Sequence, residues 1–229
     1  MPARTQSTGA VAAPRRGRWL RRILFSVATS GVVLFATVTS LTCRPGWYRP
    51  AAIDFASLDA DRNALADLEN RISAALNARQ PVRFEITQEQ ANRWLTARGE
   101  LWLGDPLPEL AALESPFIEF RDGSVRLAAM VRARGLRTIA SCVLAATADA
   151  QTMRIEWRGL RLGALPIPAM LIRNAAQNLG DHPEAKRLLG PEGVLEVPNE
   201  FTWPNGKRRM RVAEIAFADG RMTVHLEPY

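Results

Sequence analysis

The chain has 229 residues, which is enough for one sizeable domain with short appendages. Its composition, 47% hydrophobic and 23% charged, is that of an ordinary globular protein. Six arginines lie within residues 1–22, where there is no acidic residue, so the rest of the chain carries only 7 − 6 = +1 of the net charge. A nucleic-acid-binding domain needs its positive charge on the folded part, so nucleic acid is excluded as an expected partner.

The N-terminal segment predicts a membrane anchor. Residues 1–22 read as a disordered basic cytoplasmic tail, and residues 23–41 as a transmembrane helix, because this stretch has no charge. At 1.5 Å per residue its length comes close to the ~30 Å hydrocarbon core of a bilayer. Trp47 and Tyr48 follow it, where aromatic rings favour the membrane interface. The positive-inside rule places the N-terminus in the cytoplasm and the chain from about Cys43 outside it, as in a single-pass membrane protein.

Two other interpretations of this segment stay open. A cleaved signal peptide would have a shorter apolar run and small residues at the cleavage site, for which Ser40-Leu41-Thr42 is a poor candidate. Cys43 could also be lipidated, although the residues before it lack the usual pattern. We expect Cys43 and Cys142 to be free thiols, because one leaves the membrane and the other lies in a predicted strand.

Residues 42–56 form a proline-punctuated connector, and residues 57–229 are the predicted extracytoplasmic domain. Apolar side chains recur at helical spacing over 58–79. "PVRFEIT" alternates like a short strand, and Thr87 with Gln90 three residues later is a capping-box start for a helix over 88–98. The stretch from Leu101 to Pro116 is predicted to be a loop.

The region after Pro116 predicts a β-meander. Asp122-Gly123 supplies the turn of a first hairpin, and "LRTIASCVLAATA" reads as a strand with few charges on either face. A helix is predicted over 168–179, and turns at Asn205-Gly206 and Asp219-Gly220 mark two last hairpins. The predicted fold class is therefore α+β: a long antiparallel β-meander packed on amphipathic helices, plus one N-terminal transmembrane helix.

No residue pattern indicates catalysis. His182 and His225 have no companion at metal-ligand spacing, and no nucleophile motif surrounds Ser141 or Cys142. Asp122 and Asp219 are the tempting carboxylate pair, yet each precedes a glycine in a hairpin turn, which explains both. We expect no enzyme, no cofactor and no metal.

Small side chains crowd the middle of the meander, where nine Ala, Ser or Cys residues lie between 128 and 148. They either let a helix pack closely or leave room for an acyl chain. Close packing is the ordinary outcome in protein interiors. If the small residues instead leave room for an acyl chain, they form a groove. It would be lined by the strand residues Phe120, Leu127, Ala129, Val131, Val143, Ile155 and Trp157, with the helical residues Leu171 and Ile172 opposite them.

Three stretches, "ITQEQANRWL" (86–95), "IEFRDGSVRL" (118–127) and "LGALPIPAML" (162–171), resemble the YpmS-like family of membrane-anchored bacterial proteins. Asn92 matches the family's helix asparagine, Asp122-Gly123 its hairpin, and Gly163, Pro166 and Pro168 its strand-to-helix turn. The likeness covers about residues 82–179. The family looks akin to tubular lipid-binding (TULIP-like) proteins, which implies handling of a lipid at the cell envelope. For Asn92 itself we expect a hydrogen bond to a strand edge or to neighbouring backbone.

We therefore expect a non-catalytic, membrane-anchored module that binds a lipid or another hydrophobic ligand outside the cytoplasm. The alternative is an envelope domain with a filled core that binds another protein, for example through an exposed strand edge. The predicted partners are thus the membrane, a hydrophobic ligand and an envelope protein.

Overall fold

The computed structural model describes residues 29–30, 32–51, 56–97, 112–133, 135–172, 193–202 and 208–229. It confirms an α+β protein composed mostly of antiparallel sheet. The chain divides into two compact units, residues 1–39 and residues 40–229, and every described strand belongs to the second. The helices are α1 (residues 32–42), α2 (Leu58–Asn77) and α3 (Gln88–Ala97). The strands are β1 (Val82–Thr87), β2 (Ala112–Arg121), β3 (Ser124–Ala133), β4 (Leu136–Ala148), β5 (Thr152–Leu162), β6 (Leu165–Pro166), β7 (Val194–Pro198), β8 (Phe201–Thr202), β9 (Arg209–Ala218) and β10 (Arg221–Pro228).

The predicted anchor coincides in part with α1. Large apolar side chains on this helix are exposed, among them Val32, Leu34 and Phe35. Residues 23–28 and 31 of the predicted span lie outside the described residues. Among the residues that the structure describes, no helix combines the length and the apolar character needed to cross a membrane.

A four-stranded sheet in the order β1-β10-β9-β8 holds the main core. The alternation of β1 turns Val82, Phe84 and Ile86 inward, as its sequence predicts. Leu68, Ile72 and Leu76 of α2 cover this face, and their spacing of four residues puts them on one stripe of the helix. The opposite face is charged and half-solvated, with cross-strand ion pairs such as Arg211 with Glu227 at 2.7 Å, Arg83 with Glu214 at 3.7 Å and Arg221 with Glu85 at 3.9 Å.

The second sheet is the predicted meander, with the order β2-β3-β4-β5-β6 and with β7 also paired to β5. The prediction of a loop up to Pro116 is wrong at its end, because β2 already begins at Ala112. Pro116 has no backbone N–H and so cannot donate a hydrogen bond to a neighbouring strand. It is tolerated here because β2 is an edge strand and because the register shifts between Glu114 and Phe117, which marks a β-bulge. Ser115 takes a positive φ of 51° in this bulge, so the strand passes Pro116 without losing its direction.

Side-chain amides from α3 close the outer edge of β2. Asn92, which is buried, donates from Nδ2 to the Ile118 carbonyl at 2.7 Å and accepts the Ile118 N–H at 2.8 Å. Gln88 accepts the Phe120 N–H through Oε1 at 3.0 Å. These bonds replace those of a neighbouring strand, which confirms the strand-edge role predicted for Asn92. The predicted capping box is confirmed as well, with reciprocal bonds between Thr87 and Gln90 of 2.9 and 3.2 Å.

The two Asp-Gly hairpins meet each other at their turns. The Gly123 N–H donates to the Phe217 carbonyl, and the Gly220 N–H donates to the Phe120 carbonyl, both at 3.1 Å. Both glycines have positive φ, which the turns require. The carboxylate of Asp219 accepts the backbone N–H of Asp122 at 3.3 Å. Both aspartates therefore lie in hairpin turns, as their sequence context predicts, whereas the docking of one turn on the other was not predicted.

The segment predicted as a connector is part of the folded unit. Tyr48 is 1% exposed, donates from its hydroxyl to the Ser115 carbonyl at 2.5 Å, and packs with Trp47 on Phe117. The ring centroids of Tyr48 and Phe117 lie 5.7 Å apart in an edge-to-face arrangement. Gly163 provides a second contact between this N-terminal segment and the six-stranded sheet. It has a positive φ, and it lies so close to the end of α1 that a Cβ there would collide with the carbonyl oxygens of residues 40 and 41.

Candidate functional site

One face of the six-stranded sheet is almost wholly apolar, and we call it the apolar face. Its composition follows from the strand registers, since directly opposed residues on neighbouring strands share a face. Thr138 and Cys142 are its least apolar members. The face carries Ile118 and Phe120 of β2; Val125, Leu127, Ala129 and Val131 of β3; Thr138, Ala140, Cys142, Leu144 and Ala146 of β4; and Ile155, Trp157, Leu160 and Leu162 of β5.

One end of the apolar face is filled core. Phe120 is 4% exposed and packs on Phe217 of the other sheet, with ring centroids 6.1 Å apart. Ala91 of α3 completes this cluster, and Ile118 and Val125 lie against it. Phe120 therefore does not line one groove together with Leu127 and Ala129, as predicted, because the docked hairpins bring Phe217 onto it.

The other end of the apolar face borders a pocket of about 190 Å³. Leu127, Ala129, Ala140, Cys142 and Leu160 are half-buried and line it. The remaining lining residues are Phe117, Ala128 and Ser141, so no charged side chain borders the space. Small side chains at three neighbouring strand positions make the depression, because a larger residue there would fill it.

Of the nine residues predicted for the groove, six strand residues lie on the apolar face, but their surroundings differ. Leu127 and Ala129 border the pocket, while Val131, Ile155 and Trp157 are half-buried on the same face outside it. Phe120, as described, is core.

Val143 does not belong to the groove. Its register partners are Arg126 and Gly159, so it points to the opposite side of the sheet. β4 has apolar or small side chains on both faces, and such a strand has no alternation from which its inner face could be assigned.

The two helical residues of the prediction behave differently from each other. The chain turns helical after Pro168, whose carbonyl accepts the N–H groups of Leu171 and Ile172. Ile172 is 5% exposed, whereas Leu171 is 54% exposed and lines neither apolar pocket. The prediction is wrong for Leu171, which is exposed, and Ile172, although buried, is not among the residues that line either apolar pocket. Residues 173–179 of the predicted helix lie outside the described part of the chain.

A second apolar pocket, of about 300 Å³, opens between the two helices and the two sheets. Leu65 of α2 and Trp94 and Leu95 of α3 are half-buried at this opening. The sequence analysis missed it, because the pocket exists only through the packing of α2 against α3. The one feature of the sequence that pointed to this pocket was the pair of large apolar side chains, Trp94 and Leu95, on the short helix α3. The lining is completed by Ile86, Ala91, Ile118, Phe120, Val125, Phe217 and Met222.

Cys142 is the titratable side chain among the described residues that line the two apolar pockets. Burial raises the pKa of the Cys142 thiol, which keeps it protonated and weakly nucleophilic. Both cysteines are free thiols, as the sequence predicts. His225 lies on the solvated side of the four-stranded sheet opposite Glu214, and His182 is outside the described residues. Within the described ranges no three His, Cys, Asp or Glu side chains cluster as metal ligands would.

No protein-family model, no curated protein and no solved structure matches this chain.

Proposed function

We propose that this protein binds a lipid or another hydrophobic ligand on the apolar face, without catalysing a reaction on it. The observation that carries the proposal is the pocket bordered by Leu127, Ala129 and Cys142, which has an apolar lining and only half-buried walls. Ligand pockets are concave and lined mainly by apolar side chains, with few polar groups. A cavity of about 150 Å³ already holds a benzene ring, so about 190 Å³ accepts a segment of an acyl chain or one ring.

The proposal includes attachment to a membrane through the N-terminal segment. Exposed apolar side chains along α1, with no charge between residues 23 and 41, support insertion of this segment into a bilayer. The six arginines before it support a cytoplasmic N-terminus, so the two sheets would lie outside the inner membrane in the bacterial envelope. A hydrophobic ligand would then be taken from, or delivered to, that membrane.

The test uses the compact unit Ser40–Tyr229, purified without detergent and analysed by native mass spectrometry. We expect added mass that corresponds to co-purified lipid, and Ala129→Trp should abolish it, because an indole occupies the pocket. The matched control is Ala213→Trp at an exposed position of the other sheet, which should retain the lipid. Absence of bound lipid from the unsubstituted protein would contradict the proposal.

Thermal unfolding of the same two variants separates an open pocket from a filled core. Insertion of a large side chain into a filled core costs about 1–3 kcal/mol by overpacking. Ala129→Trp should cost less than this if the pocket is open, because its ring enters space that is already present. A loss of stability within the overpacking range, together with no bound lipid, would favour the filled-core alternative.

The second candidate is binding of a partner protein through a strand edge. β1 is the outer strand of the four-stranded sheet, and its edge is the observation that favours this candidate. The edge strand carries Arg83 and Glu85, charges of the kind that restrain indiscriminate pairing. Arg83→Pro, which would perturb this edge, should abolish partner binding under this hypothesis and leave lipid binding unchanged under the first.

A further inference from the structure

The face of the six-stranded sheet opposite the apolar face holds an unusual arginine. The guanidinium carbon of Arg126 lies 4.3 Å from the ring centroid of Trp47, and Nη1 donates to Glu119 Oε2 at 2.8 Å. The side chain of Arg126 is only 12% exposed. Its Nε is buried and has no hydrogen-bond partner. The aromatic ring and one carboxylate thus hold a planar cation in a fixed orientation on the sheet.

Two more arginines point to the same side of the sheet. Arg121 opposes Ser124, two residues along β3 from Arg126, and such diagonal neighbours on adjacent strands lie about 7–8 Å apart. Arg161 opposes Ser141 across the next pair of strands. Both are exposed, and neither side chain has an ion-pair or hydrogen-bond partner within the described part of the chain.

The charge on this patch is therefore unbalanced. By register Arg121 and Arg161 lie on opposite sides of Arg126; Glu119 pairs with Arg126, and Glu156, a second carboxylate on this face, pairs with Arg158 at 3.7 Å. Burial lowers the pKa of Arg126; Glu119 raises it in part, and the nearby charges of Arg121 and Arg161 lower it further. An anion placed among the three cations would relieve this repulsion without any rearrangement of the strands.

We propose that Arg121, Arg126 and Arg161 form a binding site for a phosphate group. Guanidinium groups present paired N–H donors that match phosphate oxygens, and a tetrahedral phosphate offers oxygens to several arginines at once. Gly159 leaves the approach open, since a Cβ built there would meet no atom within 4 Å. The site lies on the opposite side of the sheet from the apolar pocket and does not depend on the proposed lipid binding.

Two sources of this phosphate share the same chemistry. One is the headgroup of a phospholipid, and Trp47, five residues after the end of α1, lies near the headgroups if α1 is inserted in a bilayer. The other is a phosphate ester or inorganic phosphate free in solution. The geometry of the three arginines is the same for both, so binding experiments have to separate them.

The experiment uses the full chain in an uncharged detergent and isothermal titration calorimetry. The probes are inorganic phosphate, short-chain dihexanoyl phosphatidylglycerol, and dihexanoylglycerol, which lacks the phosphate. We expect saturable binding of at least one phosphate-containing probe that depends on Arg121 and Arg161, whereas any binding of dihexanoylglycerol, which belongs to the apolar pocket, should not change when these arginines are substituted. Binding of inorganic phosphate identifies a small free anion as a sufficient ligand, whereas binding of the phospholipid alone identifies a headgroup.

Substitutions of the two exposed arginines test the assignment without disturbing the stacked Arg126. Arg161→Gln and Arg121→Gln should each weaken binding about tenfold, as expected for loss of a hydrogen bond between charged groups. Arg83→Gln, on the solvated face of the other sheet, is the matched control and should bind as the unsubstituted chain does. No saturable binding of either phosphate probe, or equal binding by the three variants, would overturn the proposal.

Discussion

The substitution Asn92→Ala tests most directly how α3 is joined to the edge strand β2 of the six-stranded sheet. In this variant the Ile118 N–H and the Ile118 carbonyl lose their partners, while the Gln88 carbonyl loses one bond of 2.7 Å. A buried polar group left without a partner costs about 1–3 kcal/mol. Since two such groups are exposed to partial hydration at a strand edge, we expect the free energy of unfolding to fall by about 2–4 kcal/mol.

The measurement is urea unfolding of the unit Ser40–Tyr229, followed by far-ultraviolet circular dichroism. With a slope of about 2 kcal/mol per molar urea, the midpoint should fall by about 1–2 M. Asn63→Ala is the control, because Asn63 is exposed on α2 and alanine there should change stability by no more than about 0.7 kcal/mol, through helix propensity alone. A cost below about 1 kcal/mol for Asn92→Ala would refute the view that this amide replaces a neighbouring strand.

Two further predictions concern titratable groups. Burial raises the pKa of Tyr48 above its ordinary value of 10.0, so the unfolded chain ionises first and stability should decline as the pH rises through and above 10. Tyr48→Phe should be less stable at neutral pH by about 1 kcal/mol, the worth of its hydrogen bond, and should show a smaller decline in alkali when both proteins are unfolded in urea from pH 8 to 11. Cys43 is exposed and should react with Ellman's reagent at pH 8 faster than Cys142, because burial raises the pKa of the Cys142 thiol and disfavours its thiolate. Equal reaction rates for the two thiols in the folded protein would contradict a raised pKa for Cys142.

Local signals in the sequence were sufficient to predict most of the elements. The helical periodicity of α2, the reciprocal Thr87 and Gln90 cap, and the two Asp-Gly turns all act within a few residues, so their structural outcome depends little on the rest of the chain. The predicted strand "LRTIASCVLAATA" coincides with β4 at both ends for the same reason.

The predictions fail where contacts between residues far apart in the sequence determine the orientation or burial of a side chain. The orientation of Val143 could not be read from β4, because apolar side chains occupy both faces and only the register with β3 distinguishes them. The burial of Phe120 depends on Phe217, nearly a hundred residues later in the chain. Trp47 and Tyr48 were predicted to be interfacial residues in a connector, yet they pack beside the bulge at Ser115. No pattern in the neighbouring sequence predicts this packing.

The packing of Trp47 and Tyr48 has a consequence for where the chain can be cut. A protease that cleaved between Tyr48 and the start of α2 would leave the sheets intact in sequence but would remove the ring that fills the space against Phe117. It would also take away the hydroxyl partner of the Ser115 carbonyl and the aromatic surface beneath Arg126. Release of an undamaged domain therefore requires cleavage before residue 40, since the carbonyls of Ser40 and Leu41 also accept hydrogen bonds from the Ala164 N–H and the Thr138 hydroxyl.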